Sequence, residues 1–234
     1  MNKNILALSF LLFVFMLGYG LVMKARTLVP ASTVPLTKKT IIIDAGHGIP
    51  DKGAASASGI YESDINLKIA KKLKKLLQKS KVNVVMTRED ENSLSDSKTN
   101  NKRDDLAKRV KVIKESDADL FISIHLNHFS EPKYSGAQVF YNDCNTENEI
   151  LAKSIQESLV KLADPENTRD VKVSNDIFIL KNSGIPSVLT ECGFLSNPEE
   201  AEFMNTKEYQ DKLAWAIYCG VCDYFDKKQH TTIY

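Results

Sequence analysis

Short β-branched runs alternate with helix-period patterns through residues 40–226, and this alternation constrains the fold more than any other property. Thr40–Ala45 (TIIIDA), Val82–Met86, Leu120–His125 (LFISIH), Ala137–Tyr141, Ile177–Leu180 and Ser187–Cys192 (SVLTEC) read as strands. TIIIDA, LFISIH and SVLTEC show little polar alternation, the mark of strands buried on both faces. Between these runs, apolar residues at 65, 69, 73, 76 and 77 recur at helical spacing, as do Leu106, Val110 and Ile113. The same holds for Ile150, Leu151, Ile155, Leu159 and Leu162, and a closing amphipathic helix is predicted over 206–226. Residues 88–103 are polar and read as a surface loop. Strands that alternate with helices predict an α/β fold: a single-domain layer sandwich with a twisted, mostly parallel sheet of about six strands and helices on both faces. No internal repeat and no second domain is visible. The domain is expected over 40–226, with a C-terminal tail over 227–234.

Composition narrows the function classes. With 43% hydrophobic residues and a net charge of +1, the chain is not disordered over most of its length. Four cysteines are too few for a disulfide scaffold. Lys3, Lys24 and Arg26 are the only charged residues before position 36, so the remainder carries 28 basic against 30 acidic groups. Such a domain lacks the electrostatic footprint of a nucleic-acid binder.

Ile5–Met23 is uncharged over 19 residues. As a helix it would rise about 28 Å, close to the thickness of a bilayer's hydrocarbon core. No clean small-x-small cleavage site follows it. Residues 1–26 therefore read as a signal peptide or a membrane anchor. Either reading exports the rest of the chain, behind a tether over 27–39 that contains two prolines.

Three buried runs end in polar groups: Ala45-Gly46-His47-Gly48, Ser123-Ile124-His125-Leu126-Asn127 and Leu189-Thr190-Glu191-Cys192-Gly193. In open α/β sheets, sites form outside the carboxyl ends of the strands. His47, His125 and Glu191 are thus expected at one edge. Glu62 opens the first helix near the same edge and is a fourth candidate. Two imidazoles and one carboxylate suit a catalytic zinc with an open position, whereas magnesium or calcium would ask for more carboxylates. A second carboxylate would then serve as general base. Spacing alone leaves open which of Glu62 and Glu191 is the ligand and which the base. A carboxylate inside an apolar run such as SVLTEC is costly to bury unless it is paired or functional.

The motifs resemble those of the zinc-dependent N-acetylmuramoyl-L-alanine amidase family of cell-wall hydrolases. The matching segments are Ile43–Gly48, Gly53-Ala54, Gly59–Glu62 with Asn66-Leu67, Thr87-Arg88, Leu120–Asn127, Arg169–Lys172 and Glu191–Asn197. The resemblance implies that His47, Glu62 and His125 hold one zinc ion per chain and that Glu191 is the catalytic carboxylate. It also implies peptidoglycan as substrate, cut at the amide between the lactyl group of N-acetylmuramic acid and L-Ala. Asp170 stands where the family usually has Gly, and Ile113-Lys114 where Ala-Asn is common. A lone catalytic domain behind an anchor resembles the family's sporulation members, which implies a place in spore cortex and in muramic δ-lactam formation. Because no wall-binding module is visible, an accessory wall or membrane protein is an expected partner. The alternatives are a non-catalytic peptidoglycan-binding protein, or a zinc deacetylase or peptidase acting on another wall amide.

Other signals carry less. Gly46, Gly48 and Gly53 do not have the spacing of a phosphate-binding loop, and no Gly-Lys-Ser/Thr follows. Cys219 and Cys222 fall inside the closing helix and read as packed apolar thiols. Cys192 should point to the sheet face opposite Glu191. His128 should face away from His125, and the basic run 98–114 reads as a solvated helix face. Segments 128–136 and 164–176 are candidate groove walls near the strand ends.

Overall fold

The computed structural model describes residues 36–95 and 101–231. The expected signal or anchor over 1–26 lies outside them, as does most of the tether. No helix of the described residues is long and apolar enough to cross a membrane. Six strands, β1 (Thr40–Ala45), β2 (Asn83–Met86), β3 (Leu120–Asn127), β4 (Gln138–Tyr141), β5 (Lys172–Val173) and β6 (Ser187–Phe194), form one sheet in the order β2-β1-β3-β6-β4-β5. β2, β1, β3 and β6 run parallel, and β4 pairs antiparallel to β6. The connections are α1 (Glu62–Lys79), α2 (Lys102–Glu115), α3 (Thr146–Leu162), α4 (Phe178–Lys181), α5 (Pro198–Met204) and α6 (Lys207–Thr231).

The period-2 alternation of the strands divides the interior into two cores. Ile41, Ile43, Ile122, Ile124 and Val188 face a larger core shared with Ile65, Ile69 and Leu73 of α1, Leu151 and Ile155 of α3, and Leu213 and Ile217 of α6. Ile42, Phe121 and Leu189 face a smaller one, closed by Val110 and Ile113 of α2 and by Ile179 and Leu180 of α4. Each fully buried isoleucine stabilises the fold by roughly 1.5–3 kcal/mol relative to exposure. A one-residue slip would turn Asp44 and Ser123 into the larger core, so the register is strongly specified.

Three expectations are corrected. Ile177–Leu180 is not a strand: Phe178–Lys181 forms one short helix whose Ile179 and Leu180 cap the smaller core. The closing helix runs past 226 to Thr231, so the residues expected as tail begin helically. Leu36, expected in the tether, is buried in the larger core.

Candidate metal centre

β1, β3 and β6 are parallel and adjacent, so their carboxyl ends share one edge. His47 follows β1 by two residues. His125 lies in β3 and Glu191 directly beside it in β6. Glu62 is the first residue of α1, where the helix dipole favours an acid. The structure brings His47, Glu62 and His125 together, with one potential ligand atom from each lying within 4.8 Å of the others. Glu62 bridges the rings: its Oε1 is 2.9 Å from His125 Nδ1 and its Oε2 is 3.2 Å from His47 Nε2. The backbone N–H groups of Ala54 and Leu126 donate to the same carboxylate at 3.0 and 3.2 Å. Burial alone would push the Glu62 carboxyl up, but the two histidines overrule it and hold it far below the usual carboxylate range. Burial likewise opposes the His125 cation, yet Glu62, Glu191 and Asp44 together raise that imidazole above its ordinary value.

Two glycines make this approach possible. A Cβ on Gly46 would run into the His125 ring. Gly53 has φ +69°, and a Cβ there would lie 2.5 Å from Glu62 Oε2.

His47 itself is held in the left-handed region, with φ +60°, a conformation that persists only where its surroundings over-determine it. Two buried arginines do this. Arg88 donates from Nε to the Ala45 carbonyl at 2.8 Å and from Nη2 to the Gly46 carbonyl at 2.9 Å. Arg109 donates from Nη1 to the Ala45 carbonyl at 2.9 Å and from Nη2 to the His47 carbonyl at 2.5 Å. Arg109 is anchored in turn by Asp44 at 2.5 Å and Asp105 at 2.8 Å. Asp44 also accepts from Thr87 and Ser123. Burial disfavours the Asp44 carboxylate, but Arg109 and the two hydroxyls bring its pKa down to about 2.

Glu191 stands apart from this network. It lies on the same sheet face as His125, and its Oε2 is buried with no hydrogen-bond partner among the described residues. Burial pushes its carboxyl up to about 7, with Glu62 adding repulsion and the two histidines pulling the other way. A cavity of about 230 Å³ opens beside the cluster, with His47, Asp51, His125 and Phe178 among its lining.

The residues fit a zinc ion on their own chemistry: two imidazoles and a carboxylate converge, and an unpartnered carboxylate stands next to them. Asp51 completes the arrangement, with Oδ2 3.1 Å from His47 Nδ1. By accepting a hydrogen bond from Nδ1–H it leaves the Nε2 lone pair for a metal ion. Neither Asp51 nor the role of Arg109 was visible in the sequence. Asp51 sits in an irregular Pro/Gly loop, and its only signal is its place four residues after His47. Arg109 belongs to a basic run expected to be solvated, yet it is 2% exposed. Cys192 is buried in the larger core, opposite Glu191, and burial pushes its thiol far up. Cys219 and Cys222 are buried too. His128 is exposed and outside the cluster.

Two imidazoles and two carboxylates gathered at the carboxyl edge of a mostly parallel α/β sheet are the donor set of a metal-dependent hydrolase. Comparison with known proteins places it more narrowly: the N-acetylmuramoyl-L-alanine amidase family matches residues 41–223, and the chain belongs to that family of peptidoglycan amidases. It is 42% identical over 200 residues to the germination-specific N-acetylmuramoyl-L-alanine amidase of Bacillus subtilis, covering 84% of each chain. Among solved structures, the CwlD amidase from Clostridioides difficile, determined in complex with the GerS lipoprotein, superposes with a TM-score of 0.79 at 44% identity. That match covers 81% of this chain and 100% of the other. An N-acetylmuramoyl-L-alanine amidase from Clostridium difficile 630 gives 0.72 at 36% identity, covering 81% and 98%.

Proposed function

We propose that this amidase is zinc-dependent, with His47, Glu62 and His125 as the ligands and Glu191 as the general base. The observation that carries the reading is the unpartnered, buried Glu191 Oε2 beside a converging His-Glu-His set. When bound, zinc supplies Lewis acidity, which acidifies water and polarises a carbonyl oxygen. Glu191 Oε2 accepts a proton from the attacking water as its oxygen adds to the lactyl carbonyl carbon. The same oxygen then returns the proton to the L-Ala nitrogen as the C–N bond breaks, so the products are a free lactyl carboxylate and a free amine. Burial supports this role, because a carboxylate without competing hydrogen bonds is free to take up a proton. Asp51 orients His47, and the Arg88–Arg109 pair fixes the loop that carries it.

The finer assignments rest on the relatives. The likeness to the germination-specific amidase and to CwlD supports action on spore cortex, with the stripped muramic acid going on to form δ-lactam. The pairing of CwlD with a lipoprotein supports an accessory protein for this chain. Residues 1–26, as signal or anchor, and the tether that follows would place the domain outside the cytoplasmic membrane. The test is Glu191→Gln. Peptide release from purified peptidoglycan should fall about 10²–10⁴-fold while the bound zinc stays stoichiometric. Undiminished release would remove Glu191 from the mechanism.

A further inference from the structure

Beyond Glu191, β6 carries a register shift: residues 191 to 194 run against 125 to 127 of β3, three steps against two. Asn127 pairs with Phe194, so the bulge returns Phe194 to the sheet face that already holds His125 and Glu191. Phe194 is fully buried, and what covers it is one cluster. The Phe129 and Tyr134 rings lie 5.3 and 6.3 Å from it, and the Arg169 guanidinium sits over it at 4.5 Å. Phe129 is 45% exposed, so the cluster opens to solvent at the rim of the site.

Arg169 is the unusual member. Its Nε donates to the Ser135 carbonyl at 2.6 Å, and Nη1 reaches Gln138 Oε1 only at the long limit of 3.5 Å. Among the described residues Nη2 has no hydrogen bond and the guanidinium no ion pair. Glu200 feels its charge, but that carboxylate accepts from the Gly136 and Phe194 backbone N–H groups instead. Gln138 lies directly opposite Glu191 across the antiparallel β4–β6 pair, where opposed Cβ atoms are about 4.5–5.5 Å apart. A planar cation, stacked on Phe194 and held at Nε, therefore keeps Nη2 without a partner on the sheet face that carries Glu191. A guanidinium so placed suits a carboxylate.

We propose that Arg169 is a specificity-determining residue of the amidase site, and that it receives a carboxylate of the substrate's stem peptide while the scissile amide lies against Glu191. This rests on the amidase reading. A second stem residue lies within about 7 Å of the first, so a carboxylate carried there would be the group that meets Arg169. The contact is made alike before and during bond cleavage, and its loss therefore falls on KM rather than kcat.

The test uses the zinc-loaded full chain and two defined muropeptides that differ only at the second stem residue, one with a free carboxylate and one with a carboxamide. The native protein should favour the acid by about 10–100-fold in kcat/KM, with the difference residing in KM. Arg169→Gln should bring that ratio toward one, and Arg169→Lys, which keeps the charge without the fork, should retain part of it. A native protein that does not discriminate would overturn the proposal, and so would equal losses on both substrates in Arg169→Gln. A native protein inert toward both muropeptides would instead overturn the amidase reading and the subsite with it.

Discussion

The Asp44–Arg109 pair supports the loop that carries His47, and its contribution can be worked out. The Asp44 carboxyl lies at about 2 in the folded protein against 3.8 when unperturbed. At about 1.36 kcal/mol per unit, the folded carboxylate contributes about 2.4 kcal/mol of stability at neutral pH. The folded pKa is depressed, so this stability is present above 3.8 and is lost as pH falls toward 2. At about pH 3 roughly 1.3 kcal/mol remains, a loss of about 1.1. Asp44→Asn preserves shape but cannot ionise, and it leaves Arg109 with Asp105 as its one carboxylate partner. Urea unfolding of both proteins in chelator, at neutral pH and near pH 3, separates this group from all the others, which cancel in the difference. The variant should be less stable by about 2–5 kcal/mol at neutral pH, and the gap should narrow by about 1 kcal/mol in acid. A gap independent of pH, or one below about 1 kcal/mol at neutrality, would refute the reasoning.

Asp51→Ala should fold normally yet bind zinc about 10–100-fold more weakly, as read by competition with a chromophoric chelator; unchanged affinity would strip Asp51 of its orienting role. Cys144 is exposed while Cys192, Cys219 and Cys222 are buried, and burial pushes the Cys219 thiol up to about 12. A thiol reagent should accordingly label one cysteine quickly and the other three only on unfolding. Rapid labelling of Cys192 would contradict its placement in the core.

The sequence made the sheet legible where burial was most complete. TIIIDA, LFISIH and SVLTEC are the β1, β3 and β6 cores, and their β-branched residues and short length favour strand over helix. Their polar exits put His47, His125 and Glu191 at one edge, where the parallel β1, β3 and β6 carry them. Ile177–Leu180 misled because four apolar residues fit a strand or one helical turn equally well; the turn won by sealing the smaller core with Ile179 and Leu180. Lys172–Val173 was missed because two exposed residues carry no alternation. The supporting groups were harder still. Arg109 looked like one more basic residue in a charged helix, and only the distant Asp44 and the carbonyls of residues 45 and 47 make its burial favourable. Asp51 and Arg169 depend on loop geometry, which leaves no periodic trace.

His47, Glu62 and His125 are proposed to hold one zinc ion. Anomalous diffraction at the zinc absorption edge on crystals of the purified protein tests it most directly. The account predicts a single strong peak per chain, within bonding distance of an imidazole nitrogen of His47, an imidazole nitrogen of His125 and a Glu62 oxygen, and no peak in Glu62→Ala crystals. A peak elsewhere on the protein, or one that survives that substitution at the same place, would contradict it.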